Sequence, residues 1–391
     1  MLASDGAAVT TLTDDAALAH ALRTVDRNVR TFGVRYPGDN TLDQRYADRP
    51  ATADLPAGSN YGWTTSFWPG QLWLAHELTG STAYRDLALR HVDSFARRMD
   101  EGIDVDTHDL GFLYTLSCVS AWRETGSPEA HRAALAAADQ LMTRFLEPAG
   151  VVQAWGDLDD PDEGGRTIID SLMNMPLLFW AGEQTGDARY AEAAHRHVAA
   201  LRDHIVRADG STFHTFHWDV TTGAPRHGST AQGYTDDSCW ARGQAWGIYG
   251  FALGHRHTGD PSFLDAARRC ADYFLAHLPA DGVAYWDLMF QDGSEQPRDS
   301  SAAAIAVDGL LELAEAVDEA TAARYRQEAE RILTSLARTC TSEGTDSDAL
   351  LLHGVYHWHK DHGVDEGNLW GDYFYLEALT RRHRPAWSPW W

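Results

Sequence analysis

The chain has 391 residues, 44% of them hydrophobic, which is enough for one large core or two ordinary ones. Its formal net charge of -25 excludes nucleic acid and anionic membrane surfaces as general partners, because the whole-molecule field repels both. No run approaches the ~20 apolar residues of a membrane span, the N-terminus has no signal-peptide pattern, and Cys118, Cys239, Cys270 and Cys340 show no CxxC spacing. These features predict a cytoplasmic protein with reduced thiols.

Along the chain, a first helix is predicted near 15–30, and the helices that follow share an ending. LAHELTGSTAY (74–84), SAWRETGSPEA (120–130), WAGEQTGDARY (180–190) and GHRHTGDPSF (254–263) each close an apolar-periodic helix with Thr-Gly, then Ser or Asp, then a new amphipathic helix. Glycine suits a left-handed C-cap and the following Ser or Asp suits the next N-cap, so each unit reads as a helical hairpin. Segments 299–316, 319–338 and 367–382 fit the pattern without the Thr-Gly signature. The total is about twelve helices in about six hairpins. VVQAW (151–155) and GVAYWD (282–287) read as short strands in loops.

Helices that follow Thr-Gly, such as YAEAAHRHVAALRDHI, carry Arg, His and Asp on one face and are expected outside. Those that precede it, such as SLMNMPLLFWAGEQ, are apolar or small nearly all round and are expected inside. The alternation predicts an all-α (α/α)6 barrel in one domain over 1–391, with 1–14 and 384–391 as terminal extensions. The Trp-rich tail RPAWSPWW is expected to pack on an outer helix or a second subunit.

Six inner helices open with YGWTTSFWPG (61–70), THDLGF (107–112), RTIIDSLMN (166–174), GYTDDSCWARGQAW (233–246), EQPRDSSAAA (295–304) and GVDEGNLWGDY (363–373). Parallel inner helices would bring these polar and aromatic clusters to one end of the barrel. Asp299, Ser300 and Asp372 read as ordinary N-caps. Asp109 and Asp170 read as more than caps, since capping requires neither the preceding His108 nor the Met-Asn that follows. Two carboxylates in a cavity walled by some of the 15 tryptophans suggest a glycosidase. His353, His357, His359 and His362 lack a recognised metal-ligand motif, and no metal is expected.

Taken together, WTTSFWPGQLW (63–73), HDLGFLY (108–114), IIDSLMNMPLL (168–178), QGYTDDSCWARGQAW (232–246), PRDSSAAA (297–304) and GVDEGNLWGDY (363–373) resemble the unsaturated glucuronyl hydrolases of glycoside hydrolase family 88. The resemblance implies an (α/α)6 barrel that removes the 4,5-unsaturated uronic acid from lyase-generated glycosaminoglycan oligosaccharides. It implies hydration of the C4=C5 vinyl ether with no metal or organic cofactor. By motif, Asp170 is the expected general acid and base and Asp109 its partner carboxylate. Arg242 with Gln232 is the expected clamp for the uronate carboxylate, with an ion pair to Asp236 or Asp237 as the structural alternative. Trp63, Trp155, Trp240 and Trp246 are expected to wall the sugar subsite, although Trp240 and Trp246 at i, i+6 should not share a helix face. His108 and His214 are expected to hydrogen-bond near the acid.

Where relatives read T-H-Q-G-Y, this chain has Thr230-Ala231-Gln232-Gly233-Tyr234, which removes a donor. Lys360 with His357 or His362 could hold a sulfate, more strongly when histidine is charged. Linkage, sulfation and the choice between monomer and homodimer are left open by the residues. An unsaturated rhamnogalacturonyl hydrolase, a sugar 2-epimerase on the same fold and a non-catalytic glycan-binding module are the alternative readings.

Overall fold

A computed structural model describes residues 7–391 except 159, 161 and 162, with the backbone alone for 7–15. Residues 1–6 of the expected N-terminal extension lie outside the described residues.

The helices run α1 (Ala7–Phe32), α2 (Phe67–Thr79) and α3 (Thr82–Asp100). The next, α4, joins Leu110–Tyr114, a π-helical turn at Thr115–Val119, and Ser120–Thr125. It is followed by α5 (Pro128–Met142), and by α6, in which a 3-10 turn at Ile169–Asn174 leads into Met175–Thr185. The remainder are α7 (Ala188–His204), α8 (Ala241–Thr258), α9 (Pro261–Ala276), α10 (Ser300–Ala314), α11 (Glu319–Thr339) and α12 (Leu369–His383). Even-numbered helices contact one another in sequence and α12 closes back on α2, which completes an inner ring. Odd-numbered helices pack outside it. Among the described residues no helix is long and apolar enough to cross a membrane.

Local chemistry sets the hairpins as the sequence predicts. Gly80, Gly126, Gly186 and Gly259 end α2, α4, α6 and α8 in the left-handed conformation, with φ of 70°, 69°, 72° and 69°. Ser127, Asp187 and Asp260 then accept a backbone N–H from the start of the next helix, whereas Ser81 makes no side-chain cap. The inner helices are buried nearly all round: every residue from Ala241 to Gly254 and from Leu369 to Thr380 is buried.

The strands differ from expectation. Val151–Val152 (β2) pairs with Phe145–Leu146 (β1), as a loop hairpin should. Segment 282–287 forms only isolated bridges, Tyr285 to Arg298 and Asp287 to Trp240. Two larger elements escaped the sequence reading: the sheet of β3 (Arg166–Ile168), β4 (Thr215–Trp218) and β5 (Pro225–Ser229), and the hairpin of β6 (Gly354–His357) with β7 (His362–Glu366). Both are inserted between helices, and their short mixed-polarity strands show little alternation.

The C-terminal segment, expected on an outer helix or a second subunit, reaches further in. Pro385, Trp387, Ser388 and Pro389 line a cavity with Arg326, Glu330 and Leu333 of the outer helix α11. Trp391 enters the inner ring, where its ring stacks on Phe374 at 5.9 Å and meets Phe112 and Tyr249 edge-on. Its indole N–H donates to Glu377 Oε2 at 3.0 Å. Arg123 and Arg256, near the C-terminal ends of α4 and α8, donate to the Pro389 carbonyl, so the segment closes the barrel at that end.

At the other end, Gly111 of α4 lies directly against Asn174, and a Cβ there would overlap the Asn174 Cα and carbonyl oxygen. Asn174 Oδ1 in turn accepts the Phe112 N–H at 2.8 Å. Gly186, in contrast, has open space around it and is constrained by φ alone. Gly186→Ala should therefore cost about 1 kcal/mol from left-handed strain, and Gly111→Ala up to about 3 kcal/mol from overpacking, as read by urea unfolding. Only Gly111→Ala should also lower activity.

Candidate active site

The N-terminal ends of α2, α4, α6 and α8 and the β6 strand enclose a cavity of about 180 Å³. Trp63, Trp155, Trp240, Trp246 and Tyr356 supply its aromatic walls, and Thr107, His108, Asp109, Asp170, Gln232 and Arg242 its polar ones. A second cavity of about 290 Å³ adjoins it through Trp155, Gln232 and Tyr356, and is lined further by His214, Ala231, His357 and Lys360. The expected site residues thus gather at one end of the barrel, divided between two adjoining chambers.

Asp109 precedes α4, and Asp170 sits in the 3-10 turn that opens α6. Because α4 and α6 approach at Gly111, the two carboxyls face the same imidazole: His108 Nε2 lies 3.3 Å from Asp109 Oδ1 and 3.9 Å from Asp170 Oδ1. Asp109 Oδ2 accepts the Thr107 hydroxyl at 2.9 Å. Asp170 Oδ1 is buried with no hydrogen-bond partner.

These differences separate the two acids. Burial pushes Asp170 up to about 7, His108 opposes that rise, and the neighbouring Asp109 adds to it. Burial alone would raise Asp109 too, but His108 and the Thr107 hydroxyl hold it below the usual carboxylate range. His108 loses by burial and gains more from Asp109 and Asp170, so its net shift is upward. One carboxyl keeps a proton while its neighbour is charged, the division of roles that acid catalysis requires.

His108, Asp109 and Asp170 offer three ligand atoms within 4.8 Å of one another. His108 Nε2 is directed at Asp109 Oδ1, and the two carboxylates draw its proton affinity upward, so a metal there would have to displace that contact. The four C-terminal histidines do not converge: His353 Nδ1 pairs with Asp365 Oδ1 at 2.6 Å and His359 Nε2 with the Gly233 carbonyl at 2.7 Å.

Arg242 departs from expectation. It lines the cavity, yet its two terminal nitrogens already donate to protein acceptors: Asp299 Oδ2 at 3.0 Å, Gln232 Oε1 at 2.8 Å, and the Val355 and Tyr356 carbonyls. A free guanidinium fork is therefore not presented. The ion-pair partner is Asp299, not Asp236 or Asp237, and Asp299 simultaneously caps α10 by accepting the Ser301 and Ala302 N–H groups. Asp372 was expected to cap α12; it accepts instead from the Leu350 and Leu351 N–H groups and the Tyr46 hydroxyl.

Trp240 and Trp246 line the same cavity despite their spacing. Trp240 is the extended residue before α8, so helical periodicity does not govern it. Trp155 is 37% exposed and stands at the rim. His214 belongs to the second chamber; its Nδ1 accepts the Ala231 N–H at 3.3 Å and lies 2.6 Å from the Thr215 hydroxyl, which leaves the hydrogen on Nε2. Burial pushes His214 down to about 3 and His357 down to about 4, so both are neutral and Lys360 supplies the positive charge there.

Three participants were missed. Tyr356 lines both chambers and accepts the Trp63 indole N–H at 3.0 Å. Thr107 holds Asp109. His197, on an outer helix expected to be solvated, is fully buried; its Nδ1 accepts the Val152 N–H and its Nε2 lies 2.7 Å from Ser171 Oγ, which ties down the turn that carries Asp170. The Thr-x-Asp spacing of Thr107 and Asp109 was a usable signal; the other two depend on contacts distant in sequence.

A larger cavity, about 520 Å³, lies at the far end of the barrel beneath Trp387 and Pro389. Its arginines are committed to acids, Arg256 and Arg381 to Glu312, Arg382 to Glu330 and Arg326 to Glu315 and Glu319.

Comparison with known proteins agrees with this geometry. The model of Glycosyl Hydrolase Family 88 matches residues 40–379. The chain is 44% identical to an unsaturated chondroitin disaccharide hydrolase of Streptococcus pneumoniae, over 96% of this chain and 93% of the relative. It is 43% identical to an unsaturated glucuronyl hydrolase of Bacillus sp. (strain GL1), over 96% and 98%. The crystal structure of an unsaturated glucuronyl hydrolase from Streptococcus agalactiae superposes with a TM-score of 0.92 at 43% identity, covering 97% of this chain and 94% of that one. The six-hairpin barrel, the paired carboxyls at its mouth and these matches place the chain in glycosyl hydrolase family 88.

Proposed function

We propose that this protein removes the 4,5-unsaturated uronic acid from the non-reducing end of lyase-generated glycosaminoglycan oligosaccharides, with unsaturated chondroitin disaccharides as the first substrates to test. The observation that carries the reading is the pair of carboxyls on one imidazole in a tryptophan-walled chamber, Asp109 with donors and Asp170 Oδ1 buried without one, so that burial pushes Asp170 up to about 7. The names of its relatives support the substrate class.

In the proposed reaction, Asp170 gives its proton to C4 of the vinyl ether, and positive charge develops at C5 and the ring oxygen. Asp109 lies close enough to stabilise that charge. Water adds at C5 and returns a proton to the Asp170 carboxylate. The C5 hemiketal then opens: the bond from C5 to the ring oxygen breaks, the oxygen remains on C1 as a hydroxyl, and the C1 hemiacetal releases the remaining sugar. Asp170 therefore serves as acid and then base without net consumption. The aromatic walls contact the sugar ring, and Gln232, oriented by Arg242, presents its amide to the uronate. The second chamber, with Lys360, His357 and His214, is the proposed seat of the next sugar. The four cysteines are buried and free, which fits a reducing compartment such as the cytoplasm. We assign residues 1–391 to one catalytic domain and treat monomer and homodimer as equally compatible.

Loss of the ultraviolet absorbance of the conjugated C4=C5 bond follows the reaction directly. Asp170→Asn should reduce kcat by at least about 10³-fold, on the scale of removing a general acid; an unchanged rate would exclude Asp170 as the acid. The proton on Asp170 is required, so kcat/KM should fall above pH about 7. Asp109→Asn removes the charge that helps to hold that proton, and should move this alkaline limb to lower pH as well as slow the reaction. EDTA should leave the rate unchanged.

A further inference from the structure

We propose that Thr107 is a positioning residue for the reaction, its hydroxyl orienting Asp109 and fixing that carboxylate in the anionic form. The inference rests on the reading of Asp109 and Asp170 as the reacting pair.

The local geometry is closed on both sides. Thr107 Oγ1 accepts the Asp109 backbone N–H at 3.1 Å, which leaves its own hydrogen to be donated to Asp109 Oδ2 at 2.9 Å. His108 Nε2 holds the other oxygen at 3.3 Å. Each carboxylate oxygen thus has a donor, the carboxyl plane is fixed by two contacts, and a proton on Asp109 would break one of them. Asp170, on the opposite wall, has no comparable donor at its Oδ1.

The charged and titratable groups around Asp109 divide between the mouth and the framework. His108 flanks it, Asp170 faces it from α6, and Tyr356 approaches from β6. Arg98 acts on it from α3, while Arg242 of α8 acts on Asp170. None of the framework cations donates directly to Asp109 among the described residues. His108 is the larger influence on the charge of Asp109, and Thr107 is the neutral donor that adds to it while fixing the orientation of the carboxylate.

The consequence is specific to one side of the pH profile. Loss of the hydroxyl makes Asp109 easier to protonate, yet Asp109 is still charged when Asp170 titrates. The acid limb of kcat/KM should move upward by about one pH unit in Thr107→Val, the scale of one hydrogen bond to a carboxylate. The alkaline limb should stay in place. Thr107→Ser keeps the hydroxyl and should restore the wild-type profile. A purely structural role would lower activity by the same factor at every pH in Thr107→Val, and that result, or a serine variant that behaves like the valine one, would overturn the proposal. Carboxyl-carbon NMR titration of ligand-free wild type and Thr107→Val reads the Asp109 shift without substrate. A wild type inert on every unsaturated disaccharide would defeat the proposed function, while the NMR titration would still decide the role of Thr107: a raised Asp109 titration supports it and an unmoved one overturns it.

Discussion

Two carboxyl groups and one imidazole share a buried space in which both carboxylates cannot be charged without severe cost. The site depends on how that conflict is resolved. Asp109 receives the donors, from His108 and Thr107, and Asp170 receives the burial and the repulsion. The asymmetry comes from the backbone: Asp109 follows Thr-His at the mouth of α4, where short-range donors are available, whereas Asp170 sits in a 3-10 turn with Oδ1 facing none. Gly111 lets α4 close on Asn174 of α6, where a Cβ would overlap the Asn174 backbone, and so helps to bring the two acids together.

Beneath the pair, aromatic rings carry the support down the barrel axis. Trp63 and Trp246 line the cavity and both meet Phe112 edge-on, at 5.7 and 5.4 Å. Phe112 meets Trp391 on its other side at 5.9 Å. A column of rings thus links the substrate chamber to the C-terminal segment that closes the opposite end. Edge-on aromatic contacts fill an axial space that the small residues of the inner helices leave open, and they do so with few rotatable bonds. The tryptophan content consequently serves two purposes: stacking surfaces at the mouth and a rigid filling along the axis.

Arg242 illustrates how a buried cation can organise a site without presenting its charge as a fork. Its guanidinium lies 4.4 Å from the Trp240 ring centroid and 5.0 Å from that of Trp370, and its nitrogens bind Asp299, Gln232 and the β6 backbone. Four separate chain segments meet on one side chain. Removal of either member of the Arg242–Asp299 pair would strand a buried charge, so the pair is costly to break irrespective of what it adds to stability. Gln232, which lines both chambers, is held in place through its amide oxygen by this guanidinium.

The amino-acid sequence by itself determined the hairpin count, the glycine C-caps, the division into inner and outer helices, and the clustering of Asp109, Asp170 and the tryptophans at inner-helix mouths. Those features are set by contacts within a few residues: a left-handed glycine, a capping side chain, a helical period. The motifs around Asp109, Asp170 and Arg242 further identified the family. Only the tertiary structure decided which donors and what burial separate the two carboxyls, that Arg242 is spent on Asp299 and the β6 carbonyls, that Trp240 and Trp246 share a wall, that His197 on an outer helix ties down the turn of Asp170, and that Trp391 enters the inner ring. Each of these depends on residues brought together across the ring from distant parts of the chain, where burial and the choice of neighbour set both charge and orientation. No local periodicity records such neighbours, so the fold had to close before the chemistry of its mouth was defined.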